Sequence, residues 1–560
     1  MRKFEFFILC CQLLCAISVF GQGTKQSSAI EKIIVCTDRS VYCVGESIQF
    51  SAELLKMTGD SSSLESTVLY CELITPEGYR ATGNKFLIKD HQSAGCLTIP
   101  KEIVTGYYYF RAYTKFMRNN GPEAYSYSLL KIINPLKNDV LVTSGTNNLP
   151  GYSVVPETGS DNDHTIDIST DKSIYKTRDT VHLKVSRNEP EIGDLKNSSL
   201  AVIPFEAGSS AFTIVPQPDI PLVKEQFYSE NRGITITGKL LDAQGNVPIG
   251  GALVNLSIIG EGRDFMATRT DSAGGFYFSL PYYIGKRDLF ICSAKLPGKE
   301  PKILVDNEFC TQPVHLPSPP FELSEAEKVT AYQIAANALV QSAFIPDTTF
   351  VTEEAEVVEK PFYGTPSEIL YLDQYVQLPT LEEYFNELPL MVKVKKRKGE
   401  KYFKVYGTQN ALDLFDPLVL IDYVAVDDPG KILKVLPQDV ARIEIVNEPY
   451  VKGSQTYGGI ISIISKRGDF AVIDLPSSGI FINYRFLDDN SKCAVIQPAD
   501  NQLPDTRNTL FWQSHITPEQ LTNTGFVFTA GDTHGKYEVV LRSISPSGKI
   551  SIAETMFIVE

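Results

Sequence analysis

The chain is patterned in short runs in which apolar and polar residues alternate. Such runs occupy residues 47–52, 181–185 and 234–237, and Gly, Pro, Asn and Asp residues stand between runs of this kind. Alternation with period two places successive side chains on opposite faces of a β-strand. Short strands separated by turn residues predict a mainly β, multi-domain protein built of tandem β-sandwiches.

One pattern occurs twice. Residues 37–42 (TDRSVY) and 170–175 (TDKSIY) are 133 positions apart, and an acidic residue followed by a hydroxyl residue opens the next alternating run in both cases. The spacing has the length of a domain rather than that of a solenoid repeat. The sequence therefore predicts two similar sandwiches.

Capping boxes predict two helices, which begin at Ser324 and at Thr380, each with a Glu three residues later. The hydroxyl and the carboxylate satisfy backbone N–H groups that the first helical turn leaves free. The polar segment 151–164 is a predicted linker. The predicted division is a signal peptide 1–21, sandwiches 22–150, 165–230 and 231–312, a linker with helix 313–377, an α+β domain 378–475 and a sandwich 476–560.

The N-terminus has the composition of a secretory signal. A basic start over residues 1–3 precedes an apolar run over residues 4–20, which is short for crossing the roughly 30 Å of a bilayer core. Cleavage is expected after Gly21. A lipid anchor on Cys15 or Cys10 is an alternative, and in either case we expect the protein to be exported.

Export makes disulfides possible. The cysteines beyond the signal are Cys36, Cys43, Cys71, Cys96, Cys292, Cys310 and Cys493. The first four could pair within one N-terminal domain, or they could be buried thiols, and the sequence leaves both readings open. Because their number is odd, at least one thiol is expected to be free.

The net charge of −15 disfavours nucleic acid and anionic membrane surfaces as partners. The basic run 393–401 is a local exception. It predicts a hairpin with a charged outer face, with a lipopolysaccharide- or partner-binding patch as the alternative. No apolar run after the signal has the length of a transmembrane helix.

Residues 38–42, 45–46 and 106–114 carry a resemblance to macroglobulin-type domains of large exported bacterial proteins, specifically the second-domain type. The resemblance covers about residues 30–135 and implies a β-sandwich closed by the Tyr-rich run 106–114. We interpret these tyrosines as packed core residues, with a ligand-stacking surface as the alternative.

Residues 233–239, 251–256 and 270–278 resemble the carboxypeptidase-regulatory-like fold, a small transthyretin-like sandwich. Asp271 with the glycines after it predicts a tight turn before an aromatic strand. Asp271 alone offers too few ligands for Ca²⁺. The resemblance does not imply peptidase activity.

Residues 417–426, 439–446 and 457–466 resemble the plug domain of TonB-dependent outer-membrane receptors. The order of apolar strands, helix and Gly-containing loop predicts a compact α+β sheet. About 90 residues follow Lys466, fewer than the many tilted strands of a receptor barrel require. The resemblance therefore implies a plug-like domain without a barrel.

The segment 504–560 is predicted to form another sandwich, with Trp512 as its core anchor. The whole order of domains resembles a group of exported proteins of Bacteroidota-type bacteria that combine macroglobulin-like, regulatory-like and barrel-less plug-like domains. What this group does at the molecular level is not implied by the resemblance.

Candidate chemistry is sparse. The histidines are scattered, none at metal-ligand spacing to another, and the chain has no Gly-x-Ser-x-Gly, Walker or His-Glu-x-x-His motif. We therefore expect no catalytic, cofactor-binding or metal-binding residues, no cofactor, and a protein that is not an enzyme.

The predicted function is a non-catalytic scaffold or accessory subunit of an outer-membrane protein complex, possible partners being a TonB-dependent transporter or another barrel protein. The alternatives are a nutrient- or glycan-binding module that serves such a transporter, and a macroglobulin-like protease-interacting protein. The expected location is the outer membrane, on its periplasmic or its cell-surface side.

Overall fold

The computed structural model describes residues 30–560 except 59–64, 143–151, 157–165, 188–196, 209–211, 217–226, 261, 345–360, 390, 398, 472, 494, 496, 499–501, 518–519, 522–524, 546–547 and 549. The predicted signal peptide lies outside the described residues, as does most of the predicted linker 151–164. Strands dominate the described chain and form several separate sheets, so the predicted mainly β, multi-domain class is confirmed. None of the described helices is long and apolar enough to cross a membrane.

The first sandwich is built from strands β1 (Ile30–Thr37), β2 (Val41–Cys43), β3 (Ser47–Thr58), β4 (Val68–Ile74), β5 (Arg80–Leu87), β6 (Gln92–Thr98), β7 (Gly106–Thr114) and β8 (Ser126–Ile133). One sheet has the order β1-β3-β6 and the other the order β5-β4-β7-β8, with β2 parallel to β8. Every residue of β7 is buried. The prediction that its tyrosines are packed core residues is confirmed.

The chain then forms β9 (Tyr152–Pro156), β10 (Ile166–Thr170), β11 (Ile174–Tyr175), β12 (Thr180–Arg187), β13 (Asn197–Pro204) and β14 (Phe212–Pro216). Strands β9 and β14 pair with each other, and β14 also pairs with β8, so both extend a sheet of the first sandwich. Strands β10 to β13 begin a second sandwich.

An inserted sandwich follows, with strands β15 (Ile234–Asp242), β16 (Val247–Pro248), β17 (Leu253–Ile259), β18 (Asp264–Arg269), β19 (Gly275–Leu280), β20 (Lys286–Ser293) and β21 (Pro301–Val305). Its sheets contain β16, β15, β19 and β21 on one side, and β18, β17 and β20 on the other. The amides of Ala273 and Gly275 both donate to Asp271 Oδ1 over 2.8 Å. The predicted Asp271 turn is confirmed.

Next come helix α1 (Glu325–Phe344) and an α+β module of β22 (Glu368–Tyr371), α2 (Leu381–Glu387), β23 (Val392–Arg397), β24 (Glu400–Val405), β25 (Leu418–Ile421), β26 (Val424–Ala425), α3 (Pro429–Ile432), β27 (Val440–Val446), β28 (Tyr450–Lys452), β29 (Gln455–Tyr457) and β30 (Ile460–Ser465). The main sheet has the order β22-β27-β30-β25-β26, and β23 with β24 forms a separate hairpin. Ser324 and Thr380 each accept a hydrogen bond from the amide three residues on, so both predicted helix starts are confirmed. At Ser324 the backbone amide also donates to the Glu327 carboxylate, which completes the capping box.

The last strands are β31 (Ile480–Arg485), β32 (Phe511–Ile516), β33 (Phe526–Thr529), β34 (Gly535–Ile544) and β35 (Ile550–Val559). Short 3₁₀ helices lie at Phe116–Asn120, Pro122–Ala124, Leu372–Gln374, Asn410–Asp413, Pro437–Asp439 and Asn490–Cys493. Strand β31 pairs with β20 and so completes the inserted sandwich. Strands β32 to β35 return to the second sandwich.

The second sandwich repeats the first strand for strand. Its sheets have the orders β10-β12-β33 and β32-β13-β34-β35, with β11 parallel to β35. In the first sandwich a short turn joins β4 to β5, whereas residues 205–510 connect the corresponding strands β13 and β32. The inserted sandwich, helix α1 and the α+β module are therefore placed inside the second sandwich.

The repeated sequence motif makes the same hydrogen bonds in both sandwiches. The hydroxyl of Tyr42 donates to Asp38 Oδ1 over 2.6 Å, and the hydroxyl of Tyr175 donates to Asp171 Oδ1, also over 2.6 Å. The same aspartate oxygen also accepts a hydrogen bond from a backbone amide of the next strand. The distance is 3.0 Å in the first sandwich and 2.9 Å in the second. The repeat predicted from sequence is present in the structure.

A second shared feature is a tyrosine near the start of the equivalent strands β7 and β34. The hydroxyl of Tyr108 donates to the carbonyl of Val104, and that of Tyr537 donates to the carbonyl of Thr533, both over 3.0 Å. Such a corner bond fixes the loop that enters the strand.

The strand pairing differs from the predicted division at two segments. Residues 165–230 and 476–560 were predicted as separate sandwiches, but β13 of the first segment pairs with β32 and β34 of the second. The difference arises because strand alternation marks each strand and carries no information about a partner strand hundreds of residues away.

Two further expectations are corrected. Cys96 is bonded to Cys493 rather than to another early cysteine, and Cys36, Cys43, Cys71, Cys292 and Cys310 are buried and form no disulfide within the described residues. Trp512 is half-buried and packs between the two sandwiches beside helix α1, so it does not anchor the core of its own sandwich. In both cases the partner comes from a distant part of the chain.

The repeat provides an internally matched test of a buried hydrogen bond. Asp38 is fully buried, whereas Asp171 is exposed. We expect Tyr42→Phe to lower the free energy of unfolding by about 1–3 kcal/mol, because it removes one donor from a buried carboxylate that water cannot reach to replace it. Tyr175→Phe should cost about 0.5 kcal/mol or less, since water replaces the lost donor. Urea denaturation of the full chain measures both, and equal losses would contradict this account.

Candidate functional site

Groups that could perform chemistry do not converge in the described part of the chain. No three His, Cys, Asp or Glu side chains there lie close enough to hold a metal ion. Several clusters of buried polar groups lie in contacts between the domains. These contacts form the candidate functional site, and three of them are named the charged joint, the repeat joint and the aromatic joint.

The charged joint lies between the first sandwich and the inserted sandwich. On one side of it, Lys85 of β5 donates a hydrogen bond to the carboxylate of Glu308, which follows β21. The Lys85 Nζ atom also lies 4.0 Å from the ring centre of Tyr484 on β31. A lysine of one domain is thus held by a carboxylate and an aromatic ring of the other.

A second lysine completes the charged joint. Lys115, just after β7, donates to the hydroxyl of Thr235 over 2.7 Å and lies 3.9 Å from Glu230 Oε1. The other carboxylate oxygen of Glu230 accepts from the hydroxyl of Tyr70 over 2.8 Å. Glu230 thereby bridges a strand of each sandwich.

Burial dominates the electrostatics of the charged joint. It lowers the pKa of Lys85 and that of Lys115, against the raising effect of Glu308 and Glu230 respectively. A lysine with a lowered pKa can serve as a base or nucleophile. Here the side chains of Lys85 and Lys115 are 0% and 5% exposed and hold the partners described above. The arrangement joins domains and gives a substrate no access to either amine.

The repeat joint connects the two repeated sandwiches through the same motif that defines the repeat. Thr509 donates to Asp38 Oδ2 over 2.6 Å, and Asn508 donates to Glu46 Oε1 over 2.8 Å. Arg39 binds the same Glu46 oxygen over 2.7 Å. Burial raises the pKa of Asp38, and Arg39 opposes that effect.

Helix α1 is part of the repeat joint. Its Glu327 pairs with Lys131 of the first sandwich over 2.5 Å, and its Thr330 donates to the carbonyl of Phe205 over 2.9 Å. Asn337 donates to Asn508 over 2.9 Å. The helix therefore contacts both sandwiches at once.

The aromatic joint attaches the α+β module to the inserted sandwich. Phe265 of β18 stacks on Phe362 with ring centres 6.0 Å apart and meets the edge of Tyr457 at 6.4 Å. Lys452 of β28 pairs with Asp264 over 2.6 Å. One face of the main α+β sheet is covered in this way, while α2, α3 and the hairpin pack on the other face.

Exposed aromatic side chains bear on the glycan-binding alternative. They are distributed over several domains, at Tyr79, Tyr228, Tyr277, Tyr282, Tyr332, Phe344, Tyr371, Tyr375, Tyr406, Phe415 and Phe481. Within the described residues, Tyr228 and Tyr277 are the contacting pair in which both tyrosines are exposed. This distribution favours no extended aromatic platform.

The repeated motif is predictable from the sequence, whereas the joints between domains are not. Asp38, Arg39 and Glu46 belong to the predicted repeat, and the structure adds their contacts with Asn508 and Thr509. Sequence reasoning missed the charged joint entirely. Strand alternation gives no sign of it, because Lys85 and its buried neighbour Phe86 stand side by side in β5.

Comparison with known proteins gives no family. No family model matches the chain, and a search of curated proteins finds no match. Escherichia coli alpha-2-macroglobulin activated by porcine elastase is 10% identical, with a TM-score of 0.23, over 94% of this chain and 44% of that chain. Salmonella alpha-2-macroglobulin reacted with methylamine is 9% identical, with a TM-score of 0.21, over 96% of this chain and 40% of that chain. Dimeric latent PorU from Porphyromonas gingivalis is 9% identical, with a TM-score of 0.16, over 49% of this chain and 34% of that chain.

This chain therefore spans less than half the length of each of these solved chains. Likeness at that level assigns the chain neither a family nor a task.

A double-mutant cycle tests the charged joint. We expect Lys115→Met and Glu230→Gln each to lower the free energy of unfolding by about 3 kcal/mol, because each leaves an unpaired buried charge. The free energy of unfolding of the double variant should fall by at least about 1 kcal/mol less than the sum of the losses in the two single variants. The matched control is the exposed pair Glu325 and Lys328, for which the coupling should be much smaller than at the buried pair. Additive losses at the buried pair would contradict the assigned contact.

Glu538 on β34 predicts a pH dependence of the stability of the second sandwich. Burial and the nearby Glu554 and Glu206 raise its pKa from 4.5 to about 7, against the effect of Arg542. The unfolded chain loses this proton first, so the stabilisation present below pH 4.5 disappears as the pH rises towards 7.

We expect Glu538→Gln, which cannot ionise, to raise the free energy of unfolding at pH 8 by about 1–3 kcal/mol and to change it little at pH 4.5. Urea denaturation at the two pH values measures the difference. Glu554→Gln, at an exposed neighbour, is the control and should give a smaller change. A difference for Glu538→Gln that does not depend on pH would contradict the raised pKa.

Proposed function

We propose that this protein is a non-catalytic interaction scaffold of the bacterial cell envelope, associated with an outer-membrane protein complex. The observation that carries the proposal is that several buried charges of the described chain lie in contacts that join domains. Lys85, Lys115, Asp38 and Arg39 are all committed to contacts across a joint or next to one. Fixed domains present their loops and strand edges to partners in a defined arrangement.

The proposal includes export through the signal peptide 1–21. The Cys96–Cys493 bond supports it, because disulfides form and persist in oxidising compartments such as the bacterial periplasm. It also includes macroglobulin-like, regulatory-like and plug-like identities for the sandwiches and the α+β module. These rest on the sequence resemblances together with the strand orders described above.

The scaffold is favoured over the two alternatives for separate reasons. A glycan-binding module calls for exposed rings gathered at one place, and here they are spread over several domains. A protease-interacting protein of the macroglobulin type can use a reactive Cys-Gly-Glu-Gln thioester, a sequence that this chain lacks.

The compartment is testable through the disulfide. We expect non-reducing peptide mapping of the protein recovered from its native cells to show the peptide of Cys96 linked to that of Cys493. A form made without residues 1–21 should remain in the cytosol with both thiols reduced. Reduced Cys96 and Cys493 in the native protein would argue against an oxidising envelope location.

The partner is testable by purification from native membranes in mild detergent after reversible crosslinking. We expect one or more outer-membrane proteins to co-purify in constant proportion to the chain. The control is Tyr79→Ala, which truncates an exposed side chain that belongs to none of the three joints. A chain that emerges alone and without the membrane fraction would contradict the scaffold.

A further inference from the structure

The hairpin formed by β23 and β24, here called the basic hairpin, has two different faces. Val392, Val394, Phe403 and Val405 share one face and pack on the module, where Phe403 meets the edge of Phe385 on α2 with ring centres 4.9 Å apart. The opposite face carries the cross-strand pairs Lys393–Lys404, Lys395–Tyr402 and Arg397–Glu400. The prediction of a hairpin with a charged outer face is confirmed.

Part of the positive charge of the basic hairpin is neutralised within the chain. Lys401 pairs with Glu382, and Lys404 pairs with Asp413 over 2.7 Å. Lys395, Lys396 and Arg397 are exposed, and no carboxylate of the described residues forms an ion pair with any of them. These three residues are an uncompensated positive patch on a chain whose net charge is −15.

Tyrosine rings hold two of these cations in place on the outer face. The Lys395 Nζ atom lies 5.2 Å from the ring centre of Tyr406, and the Arg397 guanidinium lies 5.3 Å from that of Tyr402. A cation above an aromatic ring is attracted without being neutralised. The charges are therefore positioned and still available to an anion.

The backbone of the basic hairpin also has a free edge. Strand β23 pairs with β24, and no other strand of the described chain pairs with either of them. Along an edge strand every second residue directs its N–H and C=O groups away from the sheet. The side chains of Lys393, Lys395 and Arg397 share the outer face of β23. They lie at every second position and are about 6.7 Å apart along the strand.

We propose that the edge of β23 binds an extended acidic segment of a partner protein by strand addition. The partner's backbone would pair with β23, and carboxylates at alternate positions would lie beside Lys395 and Arg397. Opposite charges in neighbouring strands stabilise pairing. Lys393, the third basic residue of this face, already donates to the carbonyl of Asn386 over 2.6 Å. The inference rests on the proposed function for the existence of a partner and names the chemistry of that partner.

An anionic lipid surface is the competing source of negative charge. It would use the cations of both faces near the tip, including Lys396, and would leave the backbone edge unused. The spacing at every second residue and the free edge on one strand favour the extended acidic segment, and the test separates the two.

The probe is a fluorescent nine-residue peptide of alternating Thr and Glu, measured by fluorescence anisotropy with the full chain. We expect binding that Lys395→Glu with Arg397→Glu weakens at least about tenfold. The matched control is Lys239→Glu with Lys302→Glu, two exposed lysines on the outer face of the inserted sandwich, which should bind as the parent does. Thermal denaturation checks that both double variants are folded.

A second peptide, with the same charge and with Pro at two Thr positions, separates strand addition from charge attraction. Proline lacks the N–H that a paired strand donates. The second peptide should therefore bind at least about tenfold more weakly than the first. Equal binding of the two peptides would overturn strand addition, and no binding of the first would overturn the proposal. Binding to vesicles of anionic phospholipid in place of the peptide would assign the patch to a lipid surface and would also overturn it.

Failure here is distinguishable from failure of the proposed function. If outer-membrane proteins co-purify equally with the parent and with Lys395→Glu/Arg397→Glu, the scaffold stands and the basic hairpin is not its contact. If the peptide binds as expected and no outer-membrane protein co-purifies, the hairpin stands and the envelope scaffold does not.

Discussion

The second sandwich closes only when β13, which precedes residues 205–510, pairs with β32 and β34, which follow them. This pairing fixes both ends of the long insertion at neighbouring positions of one sheet. The inserted sandwich and helix α1 contact the first sandwich, and the α+β module packs on the inserted sandwich. The charged, repeat and aromatic joints are the contacts that this return path makes.

The joints differ in what they contribute. Burying ion pairs such as Lys85–Glu308 costs desolvation that their attraction largely offsets, so apolar contacts of equal size would stabilise the interface at least as well. Charged partners at fixed positions add orientation, because any displacement leaves a buried charge without a partner. The aromatic joint adds apolar contact area at Phe265. Together they support a scaffold in which the arrangement of domains is the functional property.

How much the sequence predicts follows from how far apart the interacting residues are. The Asp271 turn, the capping boxes at Ser324 and Thr380 and the basic hairpin depend on residues within a few positions, and each was predicted. The Cys96–Cys493 bond joins residues 397 positions apart, and no local pattern marks it. The same holds for Lys115 with Glu230, which look like ordinary surface residues until two domains are brought together.

The nested order of the strands sets the order in which the sandwiches can assemble during synthesis. The first sandwich has all of β1 to β8 once residue 133 has emerged, so it can fold while the rest of the chain is still being made. The second sandwich has half of its strands from residue 204 onwards and lacks the rest until residue 559 has emerged. During that interval the edge of β13 is unpaired and open to wrong partners. Chaperones that act on the emerging chain would therefore matter most for β10 to β13, and an arrest of synthesis within the insertion would leave that sheet exposed.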